Sequence, residues 1–298
     1  MDVSIIIPTY NRKRHLSRCL ESILCQKLLN FSYEILIIDD GSTDHTYEYL
    51  KNFLDSKYVR YFYQKNGGQA AARNTGIQNA SGQILAFIDD DCIAHPTWLN
   101  NLLMAFQKNP NYDIIQGPYH YEKSPSLFYE ATRYLNDYAN QIRVVDSSEF
   151  SERKEALYIG TGNLGIRKSF FTTHRLYFNV RLSPREDEGL YRNIRKLNLK
   201  IGFLSNPVTH DCDSGPLHDM KRFFHYGRGE YHLQQSWGSY IRLPYKIKYQ
   251  EISRKEGRWK GLIMKIIIEI RWFYWALGFI FESFVNAEFL KKKVSFIL

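Results

Sequence analysis

Cysteine is scarce in this chain. Cys19, Cys25, Cys92 and Cys212 are the only four in 298 residues, and no two are spaced Cys-x-x-Cys. No disulfide framework follows from such spacing, and a reducing compartment is the default. Long hydrophobic runs are missing too: no segment reaches the roughly 20 uncharged apolar residues that a spanning helix needs. The first residues enter a strand pattern at once, without a basic and then apolar leader, so no secretory signal is expected. The glycine-rich phosphate loop and the Gly-x-Gly-x-x-Gly dinucleotide fingerprint are both absent. Acids are outnumbered, 31 against 40 Lys and Arg, for a formal charge of +9. That surplus points to an anionic partner: a nucleic acid, a nucleotide or a membrane surface.

What is present reads as a globular α/β protein. Hydrophobic residues make up 44% and charged residues 24% of a chain long enough to bury a full core. Val3 to Ile7 is an apolar, β-branched run interrupted only by Ser4, the mark of a strand buried on both faces. Pro8 ends it, and Leu16, Leu20, Ile23 and Leu24 then recur at helical spacing. Glu34 to Ile38 is a second such strand, ending in Asp39-Asp40-Gly41-Ser42-Thr43-Asp44, where Gly41 allows the turn and the polar residues can cap a helix. Tyr58 to Tyr63 is a third strand, followed by Asn66-Gly67-Gly68 and an Ala-rich helix carrying Arg73 and Asn74. A fourth, Gln83 to Ile88, stops in three acids, Asp89, Asp90 and Asp91.

Strand and helix alternating with short loops predict a doubly wound, mainly parallel sheet. Ligands of such sheets sit beyond the carboxyl ends of the strands. Pro8-Thr9-Tyr10, Asp39-Asp40 and Asp89-Asp90-Asp91 all fall there, so they are expected to line one crevice. Three adjacent acids are costly without a positive partner, and a divalent cation on oxygen ligands supplies one. The plainer reading is a helix N-terminus near Pro96 complemented by Asp91.

Beyond Asp91 the pattern loosens. Trp98 to Phe106 predicts a helix, Tyr112 to Gln116 a strand, and Leu127 to Val145 an amphipathic helix. Tyr158 to Ile166 is punctuated by Gly160, Gly162 and Gly165, and reads either as backbone brought close to a ligand or as a plain turn. Pro184 to Arg192 opens a helix with Glu186, Asp187 and Glu188 in its first turn. Acids there complement the helix dipole, while a general base needs one of them to face a cleft. Ile201 to Leu204 and Val208 to His210 predict short strands, with His210 a core histidine or a metal or phosphate contact. Lys221, Arg222, His225 and Arg228 form a basic stretch that serves phosphates, acceptor or membrane, or is a solvated face. From Tyr240 the composition shifts. Arg254, Lys255, Arg258 and Lys260 precede an apolar, aromatic stretch closed by Lys291-Lys292-Lys293. This predicts either a helix lying on an anionic membrane surface or one docked on protein.

Four linked motifs carry a resemblance: Ser4-Ile5-Ile6-Ile7-Pro8-Thr9-Tyr10-Asn11-Arg12, Glu34 through Asp44, Asn66-Gly67-Gly68 through Ala72-Arg73-Asn74, and Phe87-Ile88-Asp89-Asp90-Asp91. In order and spacing they resemble the family 2 glycosyltransferases over roughly residues 1 to 230. The resemblance implies a GT-A type α/β fold with a nucleotide-binding, mainly parallel sheet flanked by helices, a nucleotide-diphosphate-sugar donor and inversion at the anomeric carbon. Carried over, it puts Pro8 and Tyr10 beside the nucleobase, with Asp40 hydrogen-bonded to a base, typically uracil. Arg73, Thr9, Arg12, Gly68 and Asp89 join the donor site and Asp90 contacts the ribose. Asp91 binds Mn2+ or Mg2+, with His210 as a further ligand. Gly162 and Asn163 lie beneath the sugar and acceptor, and Asp187 of the Glu186-Asp187 pair is the general base.

Two features depart from the family pattern. Gly189 stands where an acid is usual after Glu-Asp-x, which weakens the base assignment unless Glu188 compensates. The Gln-x-x-Arg-Trp motif of processive synthases is missing, so one sugar per cycle is expected. The expected organisation is a transferase domain over residues 1–235, with a nucleotide-sugar half to about 115 and an acceptor half after it, then a basic, apolar helical extension over 236–298. The expected enzyme is cytoplasmic and peripheral on the inner face of the cell membrane. It works on a glycan or lipid-linked acceptor in polysaccharide or cell-envelope synthesis, with no nucleic-acid partner. Two alternatives are a sugar-1-phosphate nucleotidyltransferase, whose usual glycine-rich basic loop is replaced here by Pro8-Thr9-Tyr10, and a non-catalytic nucleotide-sugar-binding scaffold.

Overall fold

A computed structural model describes residues 1–27, 31–54, 56–121, 126–131, 133, 150–152, 159–205, 207–211, 215–237 and 257–297. The chain divides into two compact units, residues 1–122 with 136–211, and residues 123–135 with 212–298.

The first unit opens as the alternation predicts: β1 (Val3–Thr9), α1 (Lys13–Leu24), β2 (Tyr33–Asp39), α2 (Thr46–Leu54), β3 (Val59–Tyr63), α3 (Gln69–Asn79) and β4 (Ile84–Phe87). Then come β5 (Cys92–Ala94), α4 (Trp98–Lys108), β6 (Ile114–Gln116), β7 (Tyr119–His120) and β8 (Phe150–Glu152). It closes with β9 (Leu164–Arg167), α5 (Lys168–His174), α6 (Glu186–Lys196), β10 (Ile201–Leu204) and β11 (Val208–His210). The main sheet runs β3-β2-β1-β4-β9-β6-β10-β8, and a small sheet runs β5-β11-β7. β1 to β4 are parallel, whereas β9 is antiparallel to both its neighbours, so the sheet is mixed beyond β4.

The apolar strand runs have a direct cause. Along β1, Val3, Ile5 and Ile7 join a core layer with α1 and α4, while Ile6 faces the opposite layer with α3 and α5. Residues alternate across a strand, so a strand covered on both sides must be apolar at every step. Helix α1 buries Leu16, Cys19, Leu20 and Ile23, one stripe at helical spacing. Helix α3 sits closer. A Cβ on Gly76 would lie 2.5 Å from a methyl of Ile6, so its small residues let the helix approach the sheet.

The second unit holds α7 (Pro216–Trp237), α8 (Arg258–Ile297) and a helical piece at residues 127–131 and 133. The rest of the helix expected from Leu127 to Val145 lies outside the described residues, as do Tyr158, Arg254 and Lys255. Helices α7 and α8 touch backbone to backbone. A Cβ on Gly227 would fall 1.8 Å from the Trp275 carbonyl oxygen, and one on Gly278 would fall 1.9 Å from that of Phe224. Arg222 and Arg228 of the basic stretch pair with Asp219 and Glu282, inside this unit. No helix among the described residues is long and apolar enough to cross a membrane.

Candidate active site

The loops at the carboxyl ends of the parallel strands meet one another, the Asp40 amide donating to the Thr9 carbonyl at 2.9 Å. The loops after β1 and β2 are laced together. The Asn11 side-chain oxygen accepts from the Thr43 amide at 2.7 Å, and the Asn11 and Lys13 amides donate to Ser42 and Asp44. Asp39 turns inward, accepting from the Ser42 amide and the Tyr61 hydroxyl. Asp40 reaches the glycine loop and accepts from Gln64 Nε2 at 2.6 Å and from the amides of Gly67 and Gly68 at 2.9 and 2.8 Å. Gly68 begins α3 with φ of +85°, a conformation that favours glycine. In this state Asp40 holds that loop, with two hydrogen bonds on Oδ1 and one on Oδ2. Tyr10 stands half out of the surface beside it.

The three acids at the end of β4 part ways. Asp90 is buried, accepting from Thr9 Oγ1 at 2.8 Å and pairing with Arg12 Nη1 at 3.1 Å. Asp91 takes the other fork of Arg12 at 2.8 Å and lies 3.7 Å from His210 Nε2. Burial pushes the Asp90 carboxyl up to about 7, with Arg12 opposing and Asp91 adding to the rise. Burial also acts upward on Asp91, but His210 and Arg12 outweigh it and hold that carboxyl down at about 2. Asp91 is therefore a standing negative charge, flanked in this state by Arg12 and His210.

The structure brings His210 to Asp91 through the small sheet. His210 is the antiparallel register partner of Cys92, the residue after Asp91, and the Asp211 amide donates to the Asp91 carbonyl at 2.7 Å. Ring contacts with Tyr119 and Tyr121, at 5.7 and 5.4 Å between centroids, fix the imidazole. Donor atoms of Asp91, Cys92 and His210 lie within 4.8 Å of one another. A carboxylate and an imidazole at this spacing fit a small divalent cation, whose bonds to O and N run roughly 2.0–2.2 Å.

Arg73 crosses the crevice. It is buried on α3, with Nη2 on Asp89 Oδ1 at 2.7 Å and Nη1 on Glu186 Oε1. The acid triplet and the Glu186-Asp187 pair are thereby joined through one guanidinium, although Asp89 and Glu186 lie 97 positions apart. Glu186 is buried, and its second oxygen has no hydrogen-bond partner. Burial raises its carboxyl, against the pull of Arg73. Asp187, next on α6, is half-buried and accepts from the Glu188 amide. Burial raises Asp187 as well, with Arg185 opposing. Glu188 pairs with Arg192 one turn along the same helix. Of the three acids, Asp187 is thus the accessible carboxylate with a raised proton affinity, the property a general base needs.

Gly162 and Asn163 occupy a single 3-10 turn, Thr161–Asn163, leading into β9. The turn is fixed by residues that sequence reasoning missed. The Gly162 amide donates to the Tyr119 hydroxyl at 2.7 Å, and a Cβ on Gly162 would sit 2.8 Å from Asp89 Oδ2. The Asn163 side chain accepts from Trp98 Nε1 and donates to the Pro118 carbonyl, each at 2.8 Å. Glycine therefore brings the backbone against Asp89 and Tyr119, and Asn163 braces the turn from inside. Tyr119 follows Gly117-Pro118 just past β6, so the strand-end argument that found the acids reaches it too. Gln64, which holds Asp40, carries no comparable signal.

Comparison with known proteins gives the family and the fold. The family described as "Glycosyl transferase family 2" matches residues 4–175, and the chain belongs to that family. It is 46% identical over 107 residues to an uncharacterized glycosyltransferase of Rickettsia felis, a match covering 36% of this chain and 17% of that protein. It is 36% identical over 131 residues to the glycosyltransferase GlyA of Streptococcus pneumoniae, covering 43% and 18%. To the glycosyltransferase AglE of Haloferax volcanii it is 41% identical over 100 residues, covering 33% of each. The chain thus spans a third or less of these relatives. Among solved structures, S. aureus TarS 1–349 superposes with a TM-score of 0.55 at 15% identity, covering 97% of this chain and 92% of that one. That likeness establishes the GT-A fold. TarS 1–349 in complex with UDP-GlcNAc matches equally well.

Proposed function

We propose that this transferase moves one sugar per cycle, with inversion, from a nucleotide-diphosphate-sugar of the UDP class to a hydroxyl of a glycan or lipid-linked acceptor. The observation that carries this reading is the Arg73 bridge between Asp89 and Glu186. It sets a donor-side acid cluster and an acceptor-side acid pair about one crevice. The TarS complexes with UDP and UDP-GlcNAc support the donor class.

In this mechanism Thr9 and Asp90 hold the ribose end of the donor. Tyr10 covers the base, and Asp40 keeps the Gly67-Gly68 loop beneath it. Arg12 turns from the acids toward the diphosphate. Asp91 and His210 would hold a divalent cation, which would supply positive charge against the leaving diphosphate. Asp187 takes the proton of the acceptor hydroxyl as its oxygen bonds to the anomeric carbon. The bond from that carbon to the diphosphate oxygen breaks, and its electron pair leaves with the nucleotide. Glu186, locked on Arg73, orients the turn that carries Asp187. The positive charge of the chain and the apolar C-terminal helix support work at the cytoplasmic face of an anionic membrane, where lipid-linked acceptors of envelope synthesis lie.

The test is calorimetry of UDP, GDP, CDP and dTDP, each with and without Mn2+. UDP is expected to bind in a metal-dependent way, and Asp91→Ala to abolish the dependence. A folded protein that binds none of the four overturns the reading.

A further inference from the structure

Helix α8 has two apolar faces, and only one is used within its own unit. Met264, Ile267 and Ile268 pack with Ala131. The charges in the middle of the helix turn the same way: Arg271 meets Asp219 on α7, and Glu282 meets Arg228 and His232. The opposite face is bare. Trp259, Ile266, Phe273 and Ile280 recur every seven residues and are 80%, 49%, 61% and 49% exposed. Ile263, Leu277 and Phe284 form a second row beside them, 41%, 38% and 68% exposed. Two rows at this spacing merge into one stripe, roughly 38 Å long at 1.5 Å per residue. A stripe of that size in water marks an interaction surface.

We propose that this stripe lies in the headgroup layer of an anionic lipid bilayer, with α8 parallel to the membrane plane. The proposal rests on the membrane location offered above and names the surface responsible. Charge selects the partner. Residues 212–298 hold fifteen Lys and Arg against eight Asp and Glu, and so carry +7 of the total +9. Arg258 and Lys260 stand where the stripe begins, Lys265 is exposed alongside it, and Lys291, Lys292 and Lys293 follow its end. Basic residues at both ends of an aromatic, apolar face match an interfacial helix held by acyl-chain contact and anionic headgroups together. A second copy of the chain is a poorer occupant. Coiled-coil seams are flanked by complementary charges. Here the flanks offer Lys260 and Glu269, then Ala276, Ser283 and Phe281.

The experiment is co-sedimentation of the 298-residue chain with vesicles of phosphatidylcholine alone and of phosphatidylcholine mixed with phosphatidylglycerol. Binding to the mixed vesicles, weakened by salt, is expected. Phe273→Glu and Ile266→Glu each remove an exposed anchor, so each is expected to cut that binding about 10- to 100-fold. Their melting temperature and metal-dependent UDP binding should not change. No binding to mixed vesicles, or equal binding by wild type and variants, overturns the proposal. So does a concentration-dependent dimer that the same substitutions dissolve, because a second copy then covers the stripe. If vesicle binding fails while UDP still binds, the surface assignment falls and the transferase reading stands.

Discussion

Two arginines, Arg73 in the first unit and Arg271 in the second, are each 1% exposed. Each guanidinium stacks near an aromatic ring, Phe178 at 5.7 Å and Phe223 at 5.3 Å, and each is neutralised by carboxylate. What differs is the chemistry left over around them. Asp219 is fully used, with one oxygen on Arg222 and the other on Arg271. Around Arg73, Glu186 keeps an oxygen without a partner, and its neighbour Asp187 is reachable with a raised carboxyl. A buried ion pair by itself is ordinary helix glue. Unspent acid beside one is what distinguishes a reactive site.

The largest effect expected from this contrast is at Asp187. Asp187→Asn should lower kcat by about 10³-fold, within the range for loss of a general base, while UDP affinity stays within about twofold. Steady-state kinetics beside nucleotide calorimetry measures both. Burial lifts this carboxyl above an ordinary aspartate, so a base at Asp187 would be protonated at a higher pH than usual as the solution is acidified. The acid limb of kcat/KM should sit correspondingly high and vanish from the residual activity of the variant. Next come the arginines. Arg73→Met and Arg271→Met each strand buried acid and should each cost about 3–5 kcal/mol of unfolding free energy. Arg73→Met should also end turnover, whereas Arg271→Met, assayed below its melting temperature, should retain UDP binding. Equal loss of UDP binding in both would erase the distinction drawn here.

How much of this was legible in the sequence depended on the range of the interactions. Strands β1, β2 and β4 could be read because each is covered on both faces and so is apolar along most of its length, with Ser4 and Glu34 among the buried polar exceptions. The strand-end rule then gathered Thr9, Asp40 and the acid triplet correctly near one another. Strands β5, β7 and β11, two or three residues each, are too short for any period to show. Spacing alone did not bring His210 to Asp91, 119 positions apart, because that proximity rests on the pairing of β11 with β5. Nor could sequence say which acid of α6 faces the cleft. The structure adds that Arg73 binds Glu186, which is buried, while Asp187 beside it is only partly buried.

A smaller effect tests whether the proposed divalent ion takes the place that Arg12 now holds at Asp91. Arg12→Met removes the internal counter-charge now forked between Asp90 and Asp91. If Arg12 and a divalent ion share that position, Mn2+ should bind the variant more tightly in the absence of nucleotide, by up to about tenfold. Donor binding should weaken, since Arg12 no longer turns to the diphosphate. Removing the ligand itself, Asp91→Ala, should weaken Mn2+ by at least about 100-fold, beyond what loss of an outer partner costs. Titration of the free enzyme with Mn2+ reads both. Unchanged affinity in Arg12→Met would mean that the guanidinium and the ion occupy separate places.

The smallest effect belongs to the second unit and tests whether its ion pairs act only on stability. Burial works to raise Glu282, but hydrogen bonds from Arg228 and His232 prevail and hold its carboxyl below the usual value. A depressed carboxyl contributes stability above its unfolded pKa, and that contribution is lost as pH falls through the folded value. Glu282→Gln should therefore lower the unfolding free energy slightly at neutral pH, by at most about 1 kcal/mol, and cost less as the solution is acidified through that range. Thermal melts of wild type and variant across the acid range should converge. UDP binding at neutral pH should match in the two, because nothing at Glu282 offers the reachable acid that Asp187 does. A variant that melts like wild type yet loses nucleotide binding would show that unit's charges serving the site, and the contrast between the two arginines would need a different cause.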